Sequence, residues 1–311
     1  MSNTNSGISV IIDTDVSIGI EQRDVDDGLA LSMACHSPEL KVSAVTLTYG
    51  NSTLKKVRGA MSSLNEHLRL PESIIRCGAA SHAELGKKTD AVDCIISNLE
   101  RQPHTLIALG PLTNIASAVK LRPDLVSQIE KLIMVAGRRP GHRFLTGNYP
   151  LSHPDLNFEK DPAAVDVLLK TKLPIVFAPF ELSSKIWITE FILDRIKQTG
   201  TELGKYLYSS SMPWLDMWRN RFSTELLPVI GFNPFDCLAI ACVTDSDILT
   251  TERVEAIIED SDYDTTDLKV QGTGIVSKPY LHVCAASTGI HEYGFEILRE
   301  EFVRRLMERL K

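Results

Sequence analysis

A single-domain α/β fold with a doubly wound, mainly parallel sheet is the architecture this sequence predicts for residues 1–311. Three observations predict it. Short apolar runs alternate with segments of helical spacing, acidic residues gather where the first such run ends, and no repeat or Gly/Ser- or Pro-rich linker divides the chain.

The strands are expected at ISVIID (8–13), KVSAVTLT (41–48), HTLIAL (104–109), KLIMVAG (131–137) and PIVFA (174–178). Runs that are apolar almost throughout suit parallel strands covered on both faces. Helical spacing marks DDGLALSMACH (26–36), TLKKVRGAMSSLNEHL (53–68), TNIASAVKL (113–121) and DPAAVDVLLK (161–170). Asp161 supplies an N-cap and Pro162 suits a first helical position, while Thr113 or Asn114 is expected to cap the preceding helix. The tail GFEILREEFVRRLMERLK (294–311) reads as a closing amphipathic helix. Residues 138–157 form the longest irregular stretch, and loops of that size often carry function.

A chain of 311 residues with 43% hydrophobic content can bury a large core, and its six scattered cysteines suit small core positions. The formal charge of −7 argues against a nucleic-acid partner, which needs clustered Lys and Arg. No apolar run approaches the roughly 20 residues that span a bilayer. The opening MSNTNSG lacks signal-peptide regions, so a cytoplasmic protein with no membrane partner is expected.

The first strand delivers Asp13 and Asp15 to its carboxyl end, where open α/β sheets place their ligands, and Asp24, Asp26 and Asp27 open the next helix. Carboxylates this dense need a cation or a proton to offset their repulsion. Oxygen-only ligands favour a hard ion such as calcium or magnesium over zinc. Helix capping accounts for one or two of these acids and leaves the rest unexplained. Asp236, in NPFDCLAIA, is the best distant candidate ligand, with an N-cap as its plain alternative.

These segments resemble the inosine-uridine-preferring nucleoside hydrolase family, whose hallmark is a strand ending in DTDxGxDD. The match is IIDTD (11–15) and DVDDGLAL (24–31), separated by the insertion VSIGIEQR. It continues through VTLTYGNSTL (45–54), LGPLTNIASAV (109–119), DLNFEKDPAA (155–164) and FDCLAIACVTDSDILTTERV (235–254), essentially the whole chain. The resemblance implies a Rossmann-like sheet of the nucleoside hydrolase type. It also implies a calcium ion held by Asp15, Asp27, the carbonyl of Leu109 and Asp236, with Asp15 as the base that activates water. Asp26 and Asn157 are then expected on ribose hydroxyls, with Asn51, Asp155 and Asn148 nearby and Trp218 on the base side. A nucleoside or related ribosyl compound is the implied substrate, and a dimer or tetramer the implied assembly.

The sequence departs from the family around the leaving group. Phe235 stands where purine-active members carry a His, and the segment after the third strand, CGAASHAELGKKTDAVDCII, is short. His82, His142 and His153 are candidate replacements, each with a solvated loop residue as the plain reading. Trp214 and Trp218 lie four apart, so core packing competes with ligand contact. Arg138, Arg139 and Arg143 could bind an anionic group or simply face water. Two other functions stay open at this stage: hydrolysis of another sugar conjugate, and calcium-dependent sugar binding without turnover. A magnesium phosphotransferase is disfavoured because no GxxxxGK[ST] loop is present.

Overall fold

The structure, a computed structural model, describes residues 7–142, 144, 153–224, 227–261 and 278–310. Its strands are β1 (Ile8–Thr14), β2 (Leu40–Leu47), β3 (Ile75–Cys77), β4 (His104–Ala108), β5 (Ile129–Met134), β6 (Ile175–Phe177), β7 (Ile188–Thr189), β8 (Gly231–Phe232), β9 (Leu249–Ser261), β10 (Lys278–Ala285) and β11 (His291–Ile297). The helices are α1 (Asp26–Cys35), α2 (Leu54–Leu68), α3 (Asp90–Leu99), α4 (Thr113–Leu121), α5 (Leu156–Lys160), α6 (Pro162–Leu169), α7 (Phe180–Ser183), α8 (Glu190–Lys197), α9 (Glu202–Phe222), α10 (Phe235–Thr244) and α11 (Arg299–Arg309).

Among the described residues, nine strands form one sheet in the order β10-β9-β11-β6-β5-β4-β1-β2-β3, parallel from β3 to β11 and antiparallel at β9 and β10. The chain leaves β1 towards β2 on one side and returns through β4 on the other. A crevice therefore opens beyond the carboxyl end of β1, the usual ligand position in such sheets.

Alternation along the strands explains the covering on both faces. Val10, Ile12, Val45, Leu47, Ile107 and Ile133 pack into one core with α1, α2, α9, α10 and α11. Ile11, Ala44, Leu106, Ala108, Leu132 and Met134 pack into the other with α3, α4 and α6. Among the described residues, no helix is long and apolar enough to cross a membrane. Of the six thiols only Cys237 is fully buried, so the core-residue expectation holds for one cysteine and partly for the others.

Three expectations are corrected. The tail is a helix only from Arg299; its first residues belong to β11, held between β6 and β9 by backbone hydrogen bonds. The strand expected at 131–137 begins at Ile129 and ends at Met134, because Gly137 turns the chain with φ +88. A Cβ at Gly137 would also sit 2.9 Å from Val283 Cγ2. Neither Thr113 nor Asn114 caps α4, since both side chains are drawn into tertiary hydrogen bonds. Asp161 does cap α6, accepting from the Ala164 N–H, with Pro162 at the first position.

Candidate active site

The end of β1 is pinned from both sides. Leu109 N–H donates to the Asp13 carbonyl at 2.8 Å and Thr48 N–H to the Thr14 carbonyl at 2.9 Å, so sheet-like bonding continues past the strand ends. Asp13 points inward, where its Oδ1 accepts from Thr46 Oγ1 at 2.5 Å and Asn114 Nδ2 at 2.9 Å. The Asn114 amide also donates to the Leu47 carbonyl and accepts from Ala79 N–H. Asp13 thus locks β1, β2 and α4 together beneath the site.

Asp15, next on that side of the chain, is fully buried. Its Oδ2 accepts from the backbone N–H of Asn51, while its Oδ1 has no hydrogen-bond partner. The approach is possible only because residue 50 is glycine: a Cβ there would lie 2.0 Å from Asp15 Oδ2.

Asp26 and Asp27 sit in the first turn of α1, and Asp236 in the first turn of α10. Asp27 Oδ1 accepts from Thr14 Oγ1, and Asp27 Oδ2 is buried without a partner. The two carboxylate oxygens of Asp26 bind both helix starts: Oδ1 accepts from Asp27 N–H at 3.0 Å and Oδ2 from Asp236 N–H at 3.2 Å. Two positive helix ends therefore converge on the acids. The capping reading suits Asp24, whose Oδ1 accepts from Val25 and Asp26 N–H.

Carboxylate oxygens of Asp26, Asp27 and Asp236 lie within 4.8 Å of one another, a spacing that a single cation can satisfy. Asp15 stands beside this triplet, close enough for the Asp27 charge to act on it. Burial pushes Asp13, Asp26 and Asp27 up to about 7, with the Asp27 charge adding to the effect on Asp26. Burial and acidic neighbours also raise Asp15 and Asp236 well above the ordinary carboxylate range. Unpaired buried oxygens, like charges and an all-oxygen donor set are the signature of a hard-cation site.

Above the acids opens a cleft of about 270 Å³. Asp24, Asp26, Asp236, Asn51, Asp155, Asn157 and the Leu109 backbone region form its polar side. Asn157 Nδ2 donates to the carbonyls of Leu109 at 2.8 Å and Val135 at 3.0 Å. Asp155 Oδ2 accepts from Gly137 N–H at 2.8 Å, and burial pushes this carboxyl up to about 7. The aromatic residues Phe144, Phe180, Trp218, Phe222 and Phe235 line the same cleft. A cleft lined by both hydroxyl-binding groups and flat rings suits a sugar joined to a planar base.

Nearly all the site residues expected from sequence meet here. Asp15 and Asp27 lie under the floor and the rest line the cleft; Asn148 and Arg143 fall outside the described residues. Trp218 combines both of its readings: it is 3% exposed, packed edge-on against Trp187, Trp214, Phe222 and Phe232, and still lines the cleft. His153 lines the cleft, and burial together with the Arg221 charge lowers it to about 4. His82 is exposed at the start of a one-turn 3-10 helix (His82–Glu84), and His142 is exposed with Nδ1 3.1 Å from Glu181 Oε1; neither lines the cleft. The solvated reading of the arginines is wrong for Arg138, which is buried, and for Arg139, which pairs with Glu252 and covers the Tyr293 ring. Sequence reasoning did not find Phe144, Phe180 and Phe222, because single aromatic residues in unrelated segments carry no spacing signal.

A family model described as inosine-uridine preferring nucleoside hydrolase matches residues 10–278. The pyrimidine-specific ribonucleoside hydrolase RihA of Salmonella schwarzengrund (strain CVM19633) is 24% identical over 314 residues, covering 92% of this chain and 95% of its own. The inosine-uridine preferring nucleoside hydrolase of Crithidia fasciculata is 25% identical over 265 residues, covering 76% of this chain and 80% of its own. Among solved structures, the purine-preferring ribonucleoside hydrolase from Gardnerella vaginalis superposes with a TM-score of 0.76 at 20% identity, over 97% of this chain and 98% of that one.

Proposed function

We propose, because the chain belongs to the inosine-uridine preferring nucleoside hydrolase family, that it is a calcium-dependent ribonucleoside hydrolase cleaving the N-glycosidic bond of ribonucleosides or related ribosyl compounds. The observation that carries this reading is the junction of two unlike surfaces. Two members of a carboxylate triplet whose oxygens lie within 4.8 Å of one another, Asp26 and Asp236, line the same cleft as the rings of Phe144, Phe180, Trp218, Phe222 and Phe235.

Asp15, Asp27, Asp236 and the Leu109 carbonyl are the proposed cation ligands, and the unpartnered buried Oδ1 of Asp15 and Oδ2 of Asp27 fit that role. Calcium bound there supplies positive charge that keeps the carboxylates ionised and aligns water with the ribose hydroxyls. Asp15 Oδ1, free of protein hydrogen bonds, takes the proton as the water oxygen bonds to the anomeric carbon. The base nitrogen departs with the electron pair of the broken bond. Asp26, Asn51, Asn157 and Asp155 hold the hydroxyls, and the nearby carboxylates favour the oxocarbenium-like sugar.

The rings of Phe235, Phe180 and Trp218 hold the base and exclude water from that end. His153, neutral at pH 7, can donate a hydrogen bond to the base but holds no ready excess proton. The preferred base stays open, since the relatives named above span pyrimidine and purine preferences. We also propose a single domain over residues 1–311, a cytoplasmic location and a homo-oligomer, dimer or tetramer.

The test is release of reducing sugar from uridine, inosine and a non-nucleoside riboside, each with calcium and with excess chelator. Calcium-dependent release from a nucleoside is expected. Sugar binding with no release from any of the three would reject hydrolysis.

A further inference from the structure

Arg138 follows the turn at Gly137 and is only 1% exposed. Its backbone joins β10, donating to the Leu281 carbonyl at 3.1 Å and accepting from Val283 N–H at 2.9 Å. The guanidinium centre lies 4.1 Å from the Phe144 ring centroid and 4.9 Å from that of Tyr280. Phe144 stacks on Phe180 at 4.6 Å and 12°, and Phe180 on Phe235 at 5.6 Å and 25°. Five planar groups thus form a column from β10 to the residue before Asp236, and its last three rings line the cleft.

The same side chain reaches the sugar side. Its Nη2 is 3.8 Å from Glu159 Oε1, and that oxygen accepts the Asp155 N–H at 3.1 Å. A buried guanidinium is a poor way to gain stability, because its desolvation offsets most of its pairing energy. Its flat, delocalised charge does what an apolar side chain cannot: it stacks on rings and attracts carboxylates together.

We propose that Arg138 is a positioning residue coupling the two halves of the substrate site, its plane setting the aromatic wall and its charge fixing the Asp155–Glu159 corner. This rests on the nucleoside hydrolase reading above. Arg138 does not line the cleft and touches no reacting atom.

The experiment uses the full-length, calcium-loaded protein and its R138M, R138K and F144L variants. KM and kcat are measured on inosine or uridine, and D-ribose is titrated as an inhibitor. R138M is expected to raise KM about tenfold, the loss of roughly one desolvated cation–π contact, and to weaken ribose binding as well. Its kcat should stay within about threefold, since no transition-state contact is removed. R138K should restore ribose binding, because the charge returns, and leave the nucleoside KM raised, because the plane does not. F144L should raise the nucleoside KM and leave ribose binding unchanged.

An R138M enzyme with wild-type KM and ribose affinity, or an R138K enzyme restored in both, overturns the proposal. Should R138M fail to fold, R138K and F144L still decide it through the same split. A wild-type protein that turns over neither nucleoside would overturn the functional reading instead. Calorimetric binding of ribose and inosine to the four proteins would then carry the same comparison.

Discussion

Removing the cation is expected to reverse the direction in which pH acts on stability. Burial holds Asp13, Asp26 and Asp27 at about 7, above the ordinary 3.8. A carboxyl raised in this way keeps its proton in the folded chain after the unfolded chain has lost it. Folding therefore takes up protons between about pH 4 and pH 7, and the metal-free protein loses stability as pH rises through that window. For Asp27 alone the rise is about three pH units, which at about 1.4 kcal/mol each makes about 4 kcal/mol. Calcium at about a hundred times its Kd would return roughly 2.7 kcal/mol at neutral pH, and much less in acid, where protons compete. Urea denaturation at about pH 5 and about pH 7.5, in chelator and in calcium, reads both effects. The chelated protein should have the higher midpoint in acid, and calcium should stabilise mainly at neutral pH. Coincident calcium and chelator curves at neutral pH would refute the cation site, and a chelated midpoint that climbs with pH would refute the buried-acid argument.

Asp15→Asn keeps an acceptor for the Asn51 N–H but removes the base; turnover should fall by about a hundred- to ten-thousandfold, with the near-ultraviolet dichroism of the fold unchanged. Gly50→Ala would force a methyl group to within 2.0 Å of Asp15 Oδ2, so Asp15 must move; a misplaced base should cost at least about a hundredfold in kcat. Asp245 is fully buried, 3.0 Å from Arg305 Nη1 and 2.5 Å from Arg309 Nη1, and anchors α11. Asp245→Asn should lower the urea midpoint while kcat in the folded protein stays the same.

Five parallel strands, β1, β2, β4, β5 and β6, could be read from sequence because both of their faces are covered, leaving runs such as ISVIID apolar almost throughout, whereas the three-residue β3 was too short to show. The strands β9 and β11, on the antiparallel side of the sheet, could not, because LTTERVEAIIEDS and HEYGFEI mix charge with apolar residues in a way that periodicity alone does not separate from helix or loop. At the site, Asp15, Asp27 and Asp236 were visible as types of residue suited to a cation. Asn114 was not: an Asn at a helix start looks like a cap, and only the fold reveals that Asp13 has claimed its amide. Arg138 was misread for a related reason, since a GRRPGHRF run looks solvated until Phe144 and Tyr280 are found closing over it.

The contact between Asp236 N–H and Asp26 Oδ2 joins residues 210 positions apart. At roughly 5–20 residues per second, synthesis leaves about 10–40 s between the emergence of these two helix starts. Throughout that interval the growing chain carries its N-terminal acids without the late carboxylate that completes the proposed site. A nascent chain stopped before Phe235 is expected to retain no calcium in equilibrium dialysis, whereas the finished chain should retain it. Ion capture would then report that translation has delivered the last ligand, making the cation a timer of completed synthesis as well as a participant in chemistry.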